Sequence, residues 1–340
     1  MATMRAMQVN APGADFELVE REVPTPGRGQ ALVRVHACGV CHSDVFAKEG
    51  GYPGVSHPLV PGHEIAGAVE ALGEGVHGWT VGQRVGVGWF GGNCGYCEWC
   101  RRGSLIDCEN SEIPGVTVDG GYADYVVVRA SALASMPDEL SPAEAAPLLC
   151  AGITTFNALR QSNARGGDRV AILGVGGLGH LGVQFARRLG FETVAVARGA
   201  EKESLARQLG AHHYIDSTAG DPGRALAELG GADLILSTVT SSDAIAAVFG
   251  GLRPQGTLLV VGASMDPIGV PAAMLIGGAK SISGHASGTS QDSEDTLRFS
   301  ALSDVRPMIE TMELERAGEA YEKMMRGDAR FRMVLLTGAS

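Results

Sequence analysis

The second half of the chain repeats one pattern: a short apolar run, a glycine turn and an amphipathic stretch of helical periodicity. This pattern begins at Arg169 and predicts a parallel sheet covered by helices, because parallel strands need long crossover connections. Six apolar runs fit one doubly wound sheet, so the expected fold class is α/β. The predicted strands are residues 169–173, 193–197, 213–215, 232–237, 257–261 and 280–283. The predicted helices are residues 178–189, 202–209, 223–229, 243–252 and 271–277.

Residues 1–150 have a different rhythm, in which short β-rich segments are broken by glycine and proline. Segments such as residues 30–40 (QALVRVHACGV) and 122–129 (YADYVVVR) are typical of an all-β region. The tail, from about Gly284, mixes a helical stretch with a final strand that contains FRMVLLTG. At about 150 residues per domain, the 340-residue length also predicts two domains.

The balance of acidic and basic residues argues against some classes of binding partner. The chain has 27 Lys and Arg against 38 Asp and Glu, and this net charge of −11 repels nucleic acid and anionic lipid surfaces. The opening residues lack a basic start followed by an apolar run, and no stretch offers about 18 uninterrupted apolar residues for a membrane span. We therefore expect a cytoplasmic protein that acts on small molecules, with no nucleic-acid or membrane partner.

The strand predicted at residues 169–173 runs directly into a glycine-rich turn, GVGGLG, and then into a helix. Gly174 permits the tight turn, Gly176 allows a pyrophosphate to approach the backbone, and Gly179 lets the helix lie close to the strand. Gly177 and Leu178 lie between them and are also predicted to contact the cofactor, and the N-terminus of the helix that follows faces the phosphate. The pattern predicts dinucleotide binding.

The end of the second predicted strand bears on which dinucleotide binds. NAD-binding folds of this type carry an acidic residue there, but this chain has Ala197 followed by Arg198, with Lys202 nearby. A cation at this place suits the 2′-phosphate of NADP, so NADP(H) is favoured over NAD(H). The alternative is that Arg198 is only a solvated loop charge.

Four of the seven cysteines lie within fifteen residues, in the spacing C-x2-C-x2-C-x7-C. They are Cys94, Cys97, Cys100 and Cys108. Four thiolates fill a tetrahedral zinc site and leave no open position, so this site is predicted to be structural. Four unligated thiols would invite oxidation, and a zinc ribbon for nucleic acid is opposed by the negative charge.

A second metal site is possible among the remaining cysteines. Cys41, His63 and Cys150 would leave one tetrahedral position open, as a catalytic zinc requires, and Glu64 directly follows His63. Spacing alone does not show that these residues meet, and each is also consistent with a buried thiol or a satisfied histidine. The leftover Cys38 is read as a small buried hydrophobe.

Six motifs, taken in order, resemble the zinc-dependent medium-chain alcohol dehydrogenases. They are ACGVCHSD (37–44), PGHEIAG (61–67), the four-cysteine loop, PLLCAGITT (147–155), GVGGLGHLGVQFA (174–186) and ARFRMVL (329–335). The resemblance covers essentially the whole chain. It implies a GroES-like β domain (residues 1–151 and 284–340) around an inserted Rossmann domain (residues 152–283), and a dimer or tetramer.

The resemblance also assigns roles at the catalytic zinc. Cys41, His63 and Cys150 would bind the ion, and Glu64 would serve as an occasional fourth ligand. Asp44 would hydrogen-bond His63, and Ser43 would accept the proton of the alcohol. Many relatives carry a histidine that passes this proton to water, but this chain has Phe46 there, so the relay would end on His42, on the cofactor ribose or on water.

The remaining implied contacts concern the cofactor and the substrate. His42 and Arg332 would bind the pyrophosphate, with Arg330 as the alternative tail arginine; Thr154, Val261, His285 and Ser287 would surround the nicotinamide. Trp89 and Phe90 would line the substrate pocket, although aromatic residues also serve ordinary core packing. The implied activity is hydride transfer between a primary alcohol, aliphatic or aromatic, and NAD(P)⁺, with two zinc ions per chain. The competing hypothesis is a non-catalytic NAD(P)-binding sensor on the same scaffold.

Overall fold

The computed structural model describes residues 2–338, which divide into two compact units. The first unit comprises Met1–Cys150 and Gly288–Ser340, and the second comprises Ala151–Ser287. These divisions lie one and four residues from the domain boundaries that the family resemblance implies, 151/152 and 283/284. Among the described residues, no helix has both the length and the apolar character needed to cross a bilayer.

The N-terminal part of the first unit is rich in strands. Its strands are β1 (Thr3–Val9), β2 (Phe16–Glu22), β3 (Gln30–Val40), β4 (Ile65–Leu72), β5 (Arg84–Val87), β6 (Tyr125–Arg129) and β7 (Ala134–Ser135). Its short helices are α1 (Val45–Glu49), α2 (Glu98–Arg101) and α3 (Pro142–Pro147). Helix α3 begins where Ser141 accepts a hydrogen bond from the backbone N–H of Glu144, whose side chain caps Ser141 in return.

The second unit alternates helices with strands. Its elements are α4 (Ile153–Arg160), β8 (Arg169–Leu173), α5 (Gly179–Arg188), β9 (Glu192–Ala197), α6 (Glu203–Gln208), β10 (His213–Asp216), α7 (Pro222–Glu228), β11 (Ala232–Ser237), α8 (Ser242–Val248), β12 (Leu252–Val260), α9 (Ala272–Ile276) and β13 (Ser281–Gly284). The chain then returns to the first unit with α10 (Ser290–Ser303), β14 (Ile309–Glu313), α11 (Ala317–Met325) and β15 (Arg332–Leu336).

The sheets of the two units match the two patterns predicted from the sequence. The six strands of the second unit are all parallel, in the order β10-β9-β8-β11-β12-β13, which is a doubly wound sheet. In the first unit, β14-β15-β3-β4-β5-β7 form one sheet, β6 pairs with β3, and β1 pairs with β2 as a separate ribbon. The prediction of a β-rich unit and a parallel-sheet unit is confirmed.

One predicted boundary in the second unit is wrong. The helix expected at residues 243–252 ends at Val248, because Gly250 and Gly251 follow in a 3-10 turn and glycine is a poor helix former. Leu252 instead begins β12, which starts five residues before the predicted strand at 257–261.

The core of the first unit lies beneath its main sheet. Alternate residues of β3, including Ala31, Val33 and Val35, are fully buried, as a strand with one face on a core requires. Tyr122, just before β6, is fully buried in the same cluster. Strand β3 pairs with β4 so that Cys38 faces Ile65, and the end of β3 therefore adjoins the segment that leads into β4.

Candidate active site

The four clustered cysteines form a compact sulfur site in the first unit. Ligand atoms of Cys94, Cys97, Cys100 and Cys108 all lie within 4.8 Å of one another. The Sγ atoms of Cys94 and Cys100 are 4.0 Å apart, close to the separation of about 3.8 Å that two Zn–S bonds of about 2.3 Å give at a tetrahedral centre. The donor set therefore fits a structural zinc ion.

Backbone amides support charged sulfur at this site. The N–H groups of Cys94 and Asn110 both donate to Cys108 Sγ at 3.4 Å, and the N–H of Cys97 donates to Cys94 Sγ at 3.4 Å. Burial works to raise the pKa of Cys94, but hydrogen bonds from the backbone of Tyr96 and Cys97 outweigh it and lower the pKa to about 6. Thiolate is the form of cysteine that binds metal.

A second group of ligand atoms lies at the end of β3. Cys41 directly follows β3, His63 and Glu64 directly precede β4, and Cys150 lies in a π-helical turn, Leu148–Gly152, after α3. One ligand atom from each of the four lies within 4.8 Å of the others. The two sulfurs are 3.7 Å apart, which again matches two thiolates on one zinc ion.

Unpartnered buried atoms also show that this group fits a metal. Among the residues that the structure describes, His63 Nε2 and Glu64 Oε2 are buried and have no hydrogen-bond partner. Buried polar atoms normally have partners, so two orphaned ligand atoms beside two sulfurs are consistent with metal binding. Two thiolates and one imidazole would leave a coordination position open, as in a catalytic zinc site, and Glu64 could occupy it at times.

The carboxylate of Asp44 lies beside the ring of His63. Its Oδ1 lies 3.2 Å from His63 Nδ1, and its Oδ2 accepts a hydrogen bond from the backbone N–H of Cys41 at 2.9 Å. Both side chains are fully buried. A carboxylate this close to Nδ1 favours a proton on that nitrogen, which leaves Nε2 available for a metal ion, so the arrangement fits the predicted role of Asp44.

A buried arginine neutralises Glu64. Arg332, in β15, forms an ion pair with Glu64, and the two side chains are 4% and 0% exposed. Arg330 is exposed and donates instead to the carbonyl oxygens of Gly327 and Ala329. Of the two tail arginines, Arg332 is therefore the one at the ligand cluster, and its contact with a pyrophosphate stays a prediction.

The electrostatics of the cluster follow from burial and close charges. The hydrogen bond between the two sulfurs lowers the pKa of Cys41 and raises the pKa of Cys150, because the two share one proton. Burial works to lower the pKa of His63, but the charges of Asp44 and Cys41 outweigh it and raise that pKa. Burial raises the pKa of Glu64 to about 7, although Arg332 opposes this shift.

Aromatic rings lie against the cluster. The ring of Trp89 meets His63 edge-on with centroids 5.1 Å apart, and it also packs against Tyr52 at 5.9 Å and Phe46 at 6.4 Å. Phe90 is only 5% exposed. Sequence reasoning missed Tyr52, which lies in a glycine- and proline-rich loop (GGYPG) that carries no regular pattern.

The short 3-10 turn after Cys41 carries the other polar residues of this motif. The turn spans His42–Asp44, and it exposes His42 while Ser43 is half-buried. Ser43 lies two residues from Cys41 along the chain, and its predicted role in proton transfer is untested.

The glycine-rich turn of the second unit has the geometry of a phosphate-binding loop. It connects β8 to α5, and Gly174 has a φ of 93°, which favours glycine. A Cβ at Gly179 would lie 1.8 Å from the carbonyl oxygen of Gly174, whereas one at Gly176 would meet no atom within 4 Å. Gly177 and Leu178 complete the turn, and the N-terminus of α5 follows at once.

The loop after β9 carries the predicted 2′-phosphate residues. Arg198 is exposed and Lys202 is half-buried. The loop is fixed from β10, because Asp216 Oδ1 accepts a hydrogen bond from Gly199 N–H at 2.8 Å and the Tyr214 hydroxyl donates to the Gly199 carbonyl at 2.5 Å. These two hydrogen bonds to Gly199 were not predicted from the sequence.

The four predicted nicotinamide residues all lie in the second unit. Val261 N–H donates to Ser237 O at 3.0 Å, and His285 N–H donates to Val260 O at 3.1 Å, so both follow the ends of parallel strands. The Ser287 carbonyl accepts a hydrogen bond from Asn157 at 3.0 Å, and Thr154 is 8% exposed in α4. Their contacts with a cofactor stay predictions.

Comparison with known proteins identifies the family. Residues 27–138 match the model for the alcohol dehydrogenase GroES-like domain, and residues 177–301 match the model for zinc-binding dehydrogenases. The alcohol dehydrogenase notN of Aspergillus sp. (strain MF297-2) is 43% identical over 323 residues, which cover 95% of each chain. An alcohol dehydrogenase of Geobacillus stearothermophilus is 40% identical over 334 residues, which cover 98% of each chain.

Solved structures agree with these relatives. A cinnamyl alcohol dehydrogenase of Sorghum bicolor superposes with a TM-score of 0.91 at 29% identity, and the match covers 100% of this chain and 99% of that one. The sequence matches, the two ligand clusters and the paired β-rich and doubly wound units lead to one conclusion. The chain belongs to the zinc-dependent medium-chain alcohol dehydrogenases.

Proposed function

We propose that the protein is an alcohol dehydrogenase or aldehyde reductase that uses one catalytic and one structural zinc ion. It transfers a hydride between a primary alcohol, aliphatic or aromatic, and NADP, which we favour over NAD. The observation that carries the proposal is the buried ligand group of Cys41, His63 and Cys150, in which His63 Nε2 has no hydrogen-bond partner among the described residues. The finding that the relatives are alcohol dehydrogenases supports it.

The residues around this group have separate tasks. Zinc held by Cys41, His63 and Cys150 would supply Lewis-acid polarisation of the alcohol or carbonyl oxygen. Asp44 keeps the Nδ1 proton on His63, and Ser43 takes up or returns the proton of the reacting oxygen. Phe46 cannot carry a proton, so the path continues on His42, on a cofactor hydroxyl or on water.

Two further features support the substrate and cofactor assignments. Trp89 contacts His63 and belongs to a group of rings with Phe46 and Tyr52, so a flat apolar substrate would find aromatic surface beside the ligand group. The name of the Sorghum relative, a cinnamyl alcohol dehydrogenase, supports aromatic alcohols as candidates. Exposed Arg198 supports NADP, because guanidinium pairs well with phosphate. The cytoplasmic location and the dimeric or tetrameric state stay predictions.

The cofactor assignment is tested by initial rates of benzaldehyde reduction with NADPH and with NADH at low cofactor concentration. We expect a preference for NADPH that Arg198→Ala reduces at least about tenfold, which corresponds to about 1.4 kcal/mol of transition-state binding. Arg188→Ala, another exposed arginine of the second unit, is the matched control. A preference for NADH in the unmodified protein would contradict the assignment and leave the zinc chemistry standing.

The zinc assignment needs a separate experiment. Elemental analysis should find two zinc ions per chain, and Cys41→Ser should lose one of them together with the activity. Full activity of Cys41→Ser would refute the catalytic role of this group. Two zinc ions without turnover on a broad panel of alcohols and aldehydes would favour the non-catalytic sensor instead.

A further inference from the structure

Tyr122 is a buried phenol that connects the two segments carrying Cys41 and His63. Its side chain is fully buried, and its backbone N–H donates to the carbonyl oxygen of Pro61 at 2.9 Å. The ring lies so close to Gly62 that a Cβ there would be 2.4 Å from the ring carbon Cδ1. Gly62 directly precedes His63, so the ring is held against the segment that presents this ligand.

The hydroxyl of Tyr122 reaches the carboxylate that holds His63. It donates to Asp44 Oδ2 at 2.7 Å, and the same oxygen accepts the backbone N–H of Cys41 at 2.9 Å. The other oxygen, Oδ1, faces His63 Nδ1 at 3.2 Å. Two donors on Oδ2 thus fix the carboxylate in the orientation that leaves Oδ1 for the imidazole.

The surroundings keep this hydroxyl in the donor state. Burial and the charge of Asp44 both raise the pKa of Tyr122 well above its ordinary value, so the phenol stays protonated. Asp44 is completely buried, so no water replaces a lost donor without opening the core. A phenylalanine would fill nearly the same volume as Tyr122, and therefore packing alone does not require the hydroxyl.

We propose that Tyr122 is a positioning residue for the metal centre of Cys41, His63 and Cys150, acting through Asp44. The hydroxyl holds the Asp44 carboxylate, the carboxylate holds the His63 ring, and the ring directs Nε2 at the metal. This inference rests on the proposed function, because it concerns the same centre. Residues that hydrogen-bond to the metal ligands, without binding the metal themselves, influence metal affinity in this way.

The test measures zinc release to a chromogenic chelator from the zinc-loaded protein. The unmodified protein should release zinc in two phases, and the phase that Cys41→Ser removes reports the three-ligand centre. We expect Tyr122→Phe to release zinc from this centre about tenfold faster. The four-cysteine site should release zinc at an unchanged rate and is an internal control. Tyr125→Phe, a half-buried tyrosine of β6, is the matched control variant.

A second readout separates positioning from general loosening of the fold. In an Asp44→Asn background, Tyr122→Phe should add no further increase in the release rate, because the two residues act in one chain. Cobalt substituted at the three-ligand centre should show a shifted visible absorption spectrum in Tyr122→Phe and an unchanged one in Tyr125→Phe.

Two results would overturn the inference, and they are distinguishable. If the unmodified protein shows the phase that Cys41→Ser removes, but Tyr122→Phe matches it in release rate and cobalt spectrum, only the role of Tyr122 fails. If the unmodified protein holds no zinc that Cys41→Ser removes, the proposed function fails and the role of Tyr122 fails with it.

Discussion

The glycines at positions 176 and 179 should separate cofactor binding from the stability of the fold. A methyl group at Gly176 would meet no heavy atom within 4 Å, and the backbone there does not have positive φ. We therefore expect Gly176→Ala to change the free energy of unfolding by no more than about 0.5 kcal/mol, as for most substitutions without a contact. The sequence motif alone treats both glycines as necessary and does not distinguish these effects.

Gly179 is different because its neighbour is backbone. A Cβ there would lie 1.8 Å from the carbonyl oxygen of Gly174, whereas ordinary contact begins at about 3.4 Å. Helix α5 would have to move by about 1.6 Å relative to the turn. Overpacking usually costs about 1–3 kcal/mol, and a rigid backbone neighbour places Gly179→Ala at or above the upper value. That is a large fraction of a stability of about 5–15 kcal/mol.

The open space at Gly176 is where a pyrophosphate is expected to approach the backbone. A methyl group there should raise the Kd for NADPH at least about tenfold, equivalent to about 1.4 kcal/mol. Urea unfolding followed by circular dichroism measures stability, and titration of NADPH fluorescence measures binding. Gly220→Ala, also with no atom within 4 Å, is the matched control and should change neither quantity.

Two outcomes would refute this reasoning. If Gly176→Ala binds NADPH as tightly as the unmodified protein, the dinucleotide does not approach this part of the turn. If Gly179→Ala is as stable as the unmodified protein, the helix and the turn adjust easily and the close contact does not constrain the fold.

Three other changes have definite expected results. Cys97→Ser should remove one of two zinc ions by elemental analysis and lower the Tm, because the remaining three cysteines no longer close a tetrahedral site. Arg332→Met should lower the free energy of unfolding by about 1–3 kcal/mol in urea at neutral pH, because Glu64, whose pKa burial already raises to about 7, becomes protonated and loses its hydrogen-bond partner, and a second change of Glu64→Gln should recover much of this loss. Hydrogen bonds from Thr218 lower the pKa of Asp216 below 3.8, so ionised Asp216 stabilises the fold above about pH 4 and this contribution disappears as the pH falls through the lowered pKa. Asp216→Asn should therefore destabilise the protein at neutral pH and have less effect near pH 3 in urea unfolding, and a constant difference across this range would contradict the assignment.

The second unit was predictable because its strands are buried apolar runs between glycine turns. Each of its six strands was located from this pattern, and β8 and β11 have the predicted bounds. The start of β12 was missed because Arg253, Pro254 and Gln255 interrupt the apolar pattern; in the structure they lie in an irregular part of the strand, between the pairs Leu252–Ala232 and Thr257–Leu234. Local composition does not reveal this start, because the pair that defines it joins Leu252 to Ala232, a residue of another strand.

In the first unit, the spacing of residues along the sequence did not predict that Cys41 and Cys150 lie together. Cys41 and Cys150 are 109 positions apart, and nothing local to either residue states that their sulfurs lie 3.7 Å from each other. The resemblance to a family supplied that expectation. The four-cysteine loop was different, because all its ligands lie on one short segment and the chain itself limits their separation.

The role of Asp44 beside His63 was predicted from the family resemblance, but two other buried contacts of the site were not predicted. Tyr122 lies in a β-rich segment and reads as an ordinary core aromatic, because sequence does not show where a hydroxyl points. The pairing of Arg332 with Glu64 was missed for a similar reason, since the two are 268 positions apart. The contact between Arg332 and Glu64 depends on β15 and β4 both pairing with β3, and the contact between Tyr122 and Asp44 depends on β6 pairing with β3.

The charges of the ligand group explain why these contacts occur. Zinc with the thiolates of Cys41 and Cys150 would form a neutral unit, and Glu64 with Arg332 forms another, so neither leaves a net charge in the core. Asp44 faces the imidazole of His63 through Oδ1, and its Oδ2 accepts hydrogen bonds from the Cys41 backbone and the Tyr122 hydroxyl. Removal of one donor from a buried carboxylate leaves an acceptor atom unsatisfied, which costs about 1–3 kcal/mol. Metal binding by Cys41, His63 and Cys150 should therefore be sensitive to loss of the Tyr122 hydroxyl, although this hydroxyl acts only through Asp44.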